Sequence, residues 1–413
     1  TLVLLHEYLH FLQNTTTLFG MQSFIADWST LFPIVKANEQ ASKIRLPIKD
    51  PSGSLGTAES QSRDRLLKAT YGNSSLNSII ESIPSCIINI EYDENCKILY
   101  QSNNHSANFP VPSCTFIIQQ DKQQLRYKFG ALAVYESLAA LLEDALVEHY
   151  PHLFLGPLPM FPYRALQYLA KYIGEKDGHT SVDRITLARI ADRSLMTTAP
   201  GFFAVRYLEE QTSHPTQTVD DTVRIVNSRY SWFKYDALIS AALTDLNTFA
   251  NALSISDIKK QIFQWFITHI ETSLAARKND PDIFIRPLLS DDPWGECKKL
   301  LSVTPIPIIQ LNGYGYYTLT LNLQNINNKQ EENIASNAAP FFRQLQYVID
   351  LHVKHKQNVK CPAYSICSHS FKNADCLSKP WKHADQSPSC ETGSAFAFLG
   401  VKGKKVKCYH RVQ

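Results

Sequence analysis

Apolar residues near the start of the chain recur at three- and four-residue spacing, which places Leu2, Leu5, Leu9 and Leu12 on one stripe of a helix. His6 and His10 fall on a second stripe of the same helix. Asn14-Thr15-Thr16-Thr17 interrupts the pattern, and residues 18–32 resume it as a second helix that Pro33 stops. Residues 37–64 are polar and carry Pro47, Pro51, Gly53 and Gly56, so a long surface loop is expected there, followed by a helical stretch near 64–83. The period then changes. Runs rich in Ile, Tyr and Phe at 86–91, 97–101, 114–119 and 125–129, separated by turn residues, predict a small antiparallel sheet.

Gly130 opens a long helix, ALAVYESLAALLEDALVEHY, that has almost no polar face. From 151 to 303 the pattern stays helical, with segments at 159–173 and 182–196 and an antiparallel pair at 231–253 and 256–278, the second begun by Ser254-Ile255-Ser256-Asp257. Two short strands, 305–311 and 314–321, meet at Asn312-Gly313, a hairpin signal, and a helix follows at 331–355. The expected fold class is α+β and predominantly helical, in three parts: a core over 1–150 that includes the small sheet, a helical domain over 151–303, and a module over 304–413 of hairpin, helix and cysteine-rich basic tail.

Composition narrows this picture. A chain of 413 residues with 44% hydrophobic content exceeds what one core organises and can bury two or three. No run of 18 apolar residues occurs, so no membrane span is expected. The net charge of +3 is uneven: residues 351–413 hold 11 Lys/Arg against 3 Asp/Glu, so the rest of the chain is acidic on balance. Such a basic end fits a nucleic acid or another acidic partner, although a merely solvated tail has the same composition. Of the nine cysteines, five crowd after position 360, a distribution unlike a disulfide framework and consistent with a reducing, cytoplasmic setting. The first residue is Thr1 and the helix begins at once, so a segment is expected to precede this numbering.

Chemistry concentrates in His6-Glu7-Tyr8-Leu9-His10. Residues four apart on a helix lie one above the other, so His6 and His10 can offer two imidazole nitrogens to one metal ion, with Glu7 beside it as a general base toward water. The plainer reading is a pair of hydrogen-bonded core histidines. A third ligand is expected at Glu136 in the helix after Gly130, because Ala133 and Ala140 on its own face let another helix approach closely; a solvated or ion-paired glutamate is the alternative.

These residues resemble the gluzincin group of zinc metallopeptidases, in which an HExxH helix is joined by a later helix carrying a glutamate ligand, here Glu136-Ser137-Leu138-Ala139. The metzincin pattern fails, since Gln13 and Thr16 stand where a Gly and a third His belong; a glutamate nineteen residues beyond the second His would fall on Ser29. The resemblance covers two helices and implies a zincin-like core over 1–150 with catalytic Zn2+ on His6, His10 and Glu136, and Glu7 as base. It implies hydrolysis of a protein or peptide substrate held along a sheet edge. Where the family puts an aspartate that orients a ligand histidine, this chain has Ala140, so Glu143 or Asp144 is expected to take that part. The group that steadies the transition state is open among Tyr163, Arg164, Arg206, Tyr207, His214 and Tyr230.

Cys361, Cys367, Cys376 and Cys390, with His369 and His383 between them, predict a second, structural Zn2+ that stands in for a hydrophobic core. An iron–sulfur cluster, disulfides or unlinked thiols are the alternatives. The functional expectation is therefore a zinc-dependent peptidase. The alternative is an inactive zincin-like scaffold that binds or senses, contacting nucleic acid through its basic C-terminal module.

Overall fold

A computed structural model describes residues 2–25, 42–46, 84–102, 105–118, 124–154, 156, 158, 161–178, 182–230, 235–252, 257–303, 308–310, 316–318, 361, 364, 367, 372–386, 390–398, 401–403 and 405–408. The opening helix, α1 (Leu2–Thr16), does not stop at Asn14 as its sequence suggests. Threonine hydroxyls carry it on: Thr15 Oγ1 donates to the Phe11 carbonyl at 2.9 Å and Thr16 Oγ1 to that of Leu12 at 2.5 Å, so their polar atoms are satisfied inside the helix. The break comes at Thr17, whose hydroxyl accepts the Gly20 amide at 3.1 Å and so caps a second helical run, residues 18–25. Gly20 is required there, since a Cβ would stand 2.4 Å from the Asn14 carbonyl oxygen. The later part of the helix expected over 18–32, and all of those expected at 64–83 and 331–355, lie outside the described residues.

The chain divides into two units: Thr1–Ser23 with Asp64–Asp245 and Ile267–Ile306, and Phe24–Arg63 with Leu246–Phe266 and Pro307–Gln413. In the first unit, β2 (Pro84–Ser102), β3 (His105–Ile118) and β4 (Gln124–Lys128) form an antiparallel sheet in the order β2-β3-β4. The sequence reading split β2 into two strands, at 86–91 and 97–101. It is one strand, because the turn-like residues after Asp93 are taken up by a bulge: Asp93 pairs with Val111, and Lys97 with the adjacent Pro110.

Helix α2 (Ala131–His149) starts at Gly130, as expected, and is the axis of this unit. Twelve of its side chains are buried, leaving Glu136, Glu143 and Asp144 as the polar residues of its middle, and a helix apolar nearly all round must be wrapped. Those that pack on it are α1, α3 (Ala165–Asp177), α4 (Arg184–Leu195), α5 (Pro200–Ser213), and, after α6 (Val219–Ser228), α7 (Tyr235–Ala252) and α8 (Asp257–Asn279), the short α9 (Arg286–Leu289) and α10 (Pro293–Val303). The sheet lies on α3 and α5. Asp183 starts α4 by accepting the Thr186 amide at 3.0 Å, and Thr218 starts α6 by accepting that of Asp221 at 3.1 Å. Tyr8, Leu12, Phe129, Phe161, Phe203 and Tyr207 fill the core.

One ion pair is sunk in this core. Asp192, 2% exposed, meets Arg277 at 2.5 Å and Arg193 at 3.0 Å, while the Arg277 guanidinium also lies over the Phe284 ring. Asp192→Ala leaves Arg277 charged and buried with its carboxylate gone, and is expected to lower stability by about 3–5 kcal/mol in denaturant titration. A loss under about 1 kcal/mol would show that the pair contributes no more than a surface one.

In the second unit, β1 (Lys43–Leu46) pairs in parallel with β7 (Lys405–Cys408). This corrects the loop expected over 37–64 at residues 43–46, most of the remainder lying outside the described residues: KIRL is a strand whose partner lies at the other end of the chain, where no local pattern can reveal it. The expected hairpin is present as β5 (Ile308–Gln310) and β6 (Tyr316–Thr318), with its Asn312-Gly313 tip outside the described residues. Further on, α11 (Asp375–Ser378), a 3-10 turn at Pro380–Gln386 and α12 (Glu391–Phe398) pack together, with Trp381 and Phe396 in ring contact at 6.3 Å. Among the described residues the chain is predominantly helical, and no helix is long and apolar enough to cross a membrane.

Candidate metal centre

Helix α1 packs along α2, and at their contact the spacing of the first element meets the polar residues of the second. The His6 and His10 rings, one turn apart, stand 4.5 Å from centroid to centroid and nearly perpendicular at 88°, which brings their Nε2 atoms to 2.9 Å. Glu136 reaches in from α2, its Oε2 lying 3.0 Å from His6 Nε2 and 3.2 Å from His10 Nε2. His6 is buried; His10 and Glu136 are half-buried.

The outer nitrogens decide what the inner ones can do. His6 Nδ1 lies 3.1 Å from Glu143 Oε1, and His10 Nδ1 lies 2.8 Å from Gln13 Oε1. A carboxylate or amide oxygen only accepts, so both Nδ1 atoms donate, and a neutral ring then turns its Nε2 lone pair inward. Two lone pairs and a carboxylate oxygen thus face one point. A single proton can bridge only one of these pairs, whereas a metal cation satisfies all three. Tetrahedral zinc with bonds of about 2.0–2.1 Å sets its ligand atoms roughly 3.3 Å apart, close to the separations found here. The donor set therefore fits zinc.

Electrostatics agree. Burial alone would depress the His6 pKa, but hydrogen bonds and charge from Glu136 and Glu143 override it and hold it up at about 9. Burial likewise pushes Glu136 up, yet the hydrogen bonds and charges of His10 and His6 draw it down to about 2. The site holds positive charge between two carboxylates, and a cation entering it would replace a proton.

Of the two residues expected to orient a ligand, Glu143 is the one that accepts from His6 Nδ1, while Asp144 forms a two-pronged ion pair with Arg164, in which Nη2 donates to Oδ1 at 2.7 Å. A signal for this choice was in the spacing. Seven residues are nearly two full turns, so Glu143 falls within about 20° of Glu136 around α2, whereas Asp144 is rotated by roughly 80°. Gln13 was missed as a site residue. It follows His10 by three positions on the same helix face, and its Nε2 donates to the Tyr135 carbonyl at 3.2 Å, tying α1 to α2.

Among the six residues expected to include a transition-state donor, Tyr163 lies beside the site, its ring 5.8 Å from that of His6. Arg164 is engaged with Asp144, Arg206 with Glu209, Tyr207 with Asn227 and His214 with Glu210, while Tyr230 packs on Phe202 and Phe203. Glu7 belongs to α1 directly after His6, and its side chain lies outside the described ones. Cys361, Cys376 and Cys390 are buried and Cys367 half-buried, none in a disulfide. Apart from His6, His10 and Glu136, no three His, Cys, Asp or Glu ligand atoms among the described residues lie within 4.8 Å of one another.

Gln13→Ala frees the His10 ring to rotate while leaving the ligand in place, and is expected to weaken zinc binding by about 10- to 100-fold in competition with a chelating dye. Unchanged affinity would remove Gln13 from the site's support. No known protein family, curated protein or solved structure matches this chain.

Proposed function

We propose that this chain is a zinc-dependent peptidase of the gluzincin kind, with His6, His10 and Glu136 as metal ligands and Glu7 as general base. The observation that carries the reading is the meeting of three ligand atoms from two helices, each histidine fixed by a separate acceptor on its far nitrogen. Zinc held there supplies Lewis-acid polarisation of a carbonyl and of water.

The protein's own groups do the rest. Glu143 and Gln13 hold the two rings in the tautomer that presents Nε2. Glu7 takes a proton from the attacking water and returns it to the leaving amine. Tyr163, whose ring neighbours His6, is the phenol we assign to steady the developing oxyanion.

An extended peptide suits the surroundings. Strand β4 is an edge of the three-stranded sheet and runs through Phe129 and Gly130 directly into α2. Its Tyr127 is near enough to Glu136 for that carboxylate to help raise its pKa, after burial and Cys114. A substrate strand added to this edge brings its backbone close to the site. Digestion of a denatured protein by the zinc-loaded chain, compared with Glu7→Gln, tests the assignment.

A further inference from the structure

Cysteine and histidine make up much of the described interior of the tail, among them Cys361, Cys376, His383 and Cys390. No disulfide joins these cysteines. Four of the buried residues instead carry soft or borderline ligand atoms.

Two of these are already together. Cys376 Sγ lies 3.2 Å from His383 Nε2, and the other ring nitrogen, Nδ1, is fixed by Gln386 Oε1 at 2.5 Å. That is the arrangement of a ligating histidine, with one nitrogen tied down and the other presented. A thiolate and an imidazole on one tetrahedral zinc would stand about 3.5 Å apart. The two remaining thiols are anchored beside this pair. The Cys361 amide donates to the Cys376 carbonyl at 2.7 Å, and its thiol touches the Thr392 hydroxyl at 3.1 Å, two residues past Cys390. Cys390 Sγ accepts the Gly393 amide at 3.2 Å, a donor that favours negative charge on the sulfur. Gly393 itself lies against the His383 backbone so closely that a Cβ would come within 2.1 Å of its carbonyl oxygen, which locks α12 to the turn bearing the histidine.

We propose that Cys361, Cys376, His383 and Cys390 form a second zinc site, structural and independent of the peptidase reading. His383 takes the place expected of Cys367, which is only half-buried. Binding draws the Cys361 and Cys390 sulfurs onto the Cys376–His383 pair, forms three zinc–sulfur bonds and one zinc–nitrogen bond, and releases the three thiol protons to solvent. With three thiolates the site carries one net negative charge, which the basic tail accommodates.

The test uses the full chain stripped with a chelator and titrated with cobalt. Tetrahedral thiolate ligation is expected as an intense near-ultraviolet charge-transfer band, unaffected by substituting His6 and His10 and retained in Cys367→Ser. His383→Ala and Cys376→Ser should each lose that band together with about one equivalent of zinc. Absence of the band in the wild-type chain, or its loss in Cys367→Ser with retention in His383→Ala, would overturn the assignment. Should the variants fail to fold, thiol titration of the wild type decides: zinc is expected to protect three cysteines from a disulfide reagent, and equal reactivity with and without zinc would refute the site.

Discussion

His6→Ala/His10→Ala is expected to bind about one zinc fewer than the wild type and to cleave nothing. Structural zinc sites in small peptides bind with roughly 10–16 kcal/mol spread over four ligands, so each ligand contributes about 3 kcal/mol and removing two weakens binding about ten-thousandfold. The same change leaves Glu136 and Glu143 without the imidazoles that now separate and neutralise them. The doubly substituted chain should therefore also be less stable. Metal content is read after circular dichroism has confirmed that the helices persist, and zinc stoichiometry equal to wild type in a folded variant would eliminate the site.

Glu7→Gln separates chemistry from metal binding. Glutamine keeps the shape of the side chain and removes its basicity, so the turnover of a denatured protein substrate should fall by about 10²- to 10⁴-fold while zinc content stays at the wild-type value. Undiminished turnover would take the base role from Glu7. Loss of zinc in the same variant would instead make it part of the metal's support. A wild-type chain that binds zinc yet cleaves no peptide bond would turn the reading toward a binding protein built on the same two helices.

The parts of the site that the sequence disclosed are those written in helical period. His6 and His10 are related by one turn of one helix, and Glu136 stood out because so little of α2 is polar. The partners of their outer nitrogens were harder to read. Glu143 follows from Glu136 by the seven-residue spacing along α2 only once Glu136 is taken to face α1, and the role of Gln13 depends on a carbonyl of α2 that accepts from it. Strands suffered in proportion to the distance of their partners. The local sheet was expected and present, though a bulge in β2 passed for a turn. Strand β1 passed for loop because its partner lies far along the chain. In the tail, cysteine spacing drew attention to Cys367, but burial and the fixed ring of His383 are tertiary facts.

The parallel pairing of Lys43–Leu46 with Lys405–Cys408 bears on the order in which this chain is completed. Closing a loop adds about 0.6 kcal/mol for each doubling of its length, so a contact spanning most of the chain is roughly 3 kcal/mol harder to make than one across ten residues. Four register pairs are too few to meet that entropy in an open coil. The ribbon must therefore be a late event, formed once the intervening chain has collapsed and shortened the path between its ends. During synthesis the first strand emerges hundreds of residues before its mate, and Ile44 and Leu46 wait on an unpaired edge of the kind that recruits other chains. Lys43 and Arg45, alternating with them, give that waiting strand the charge that discourages such recruitment.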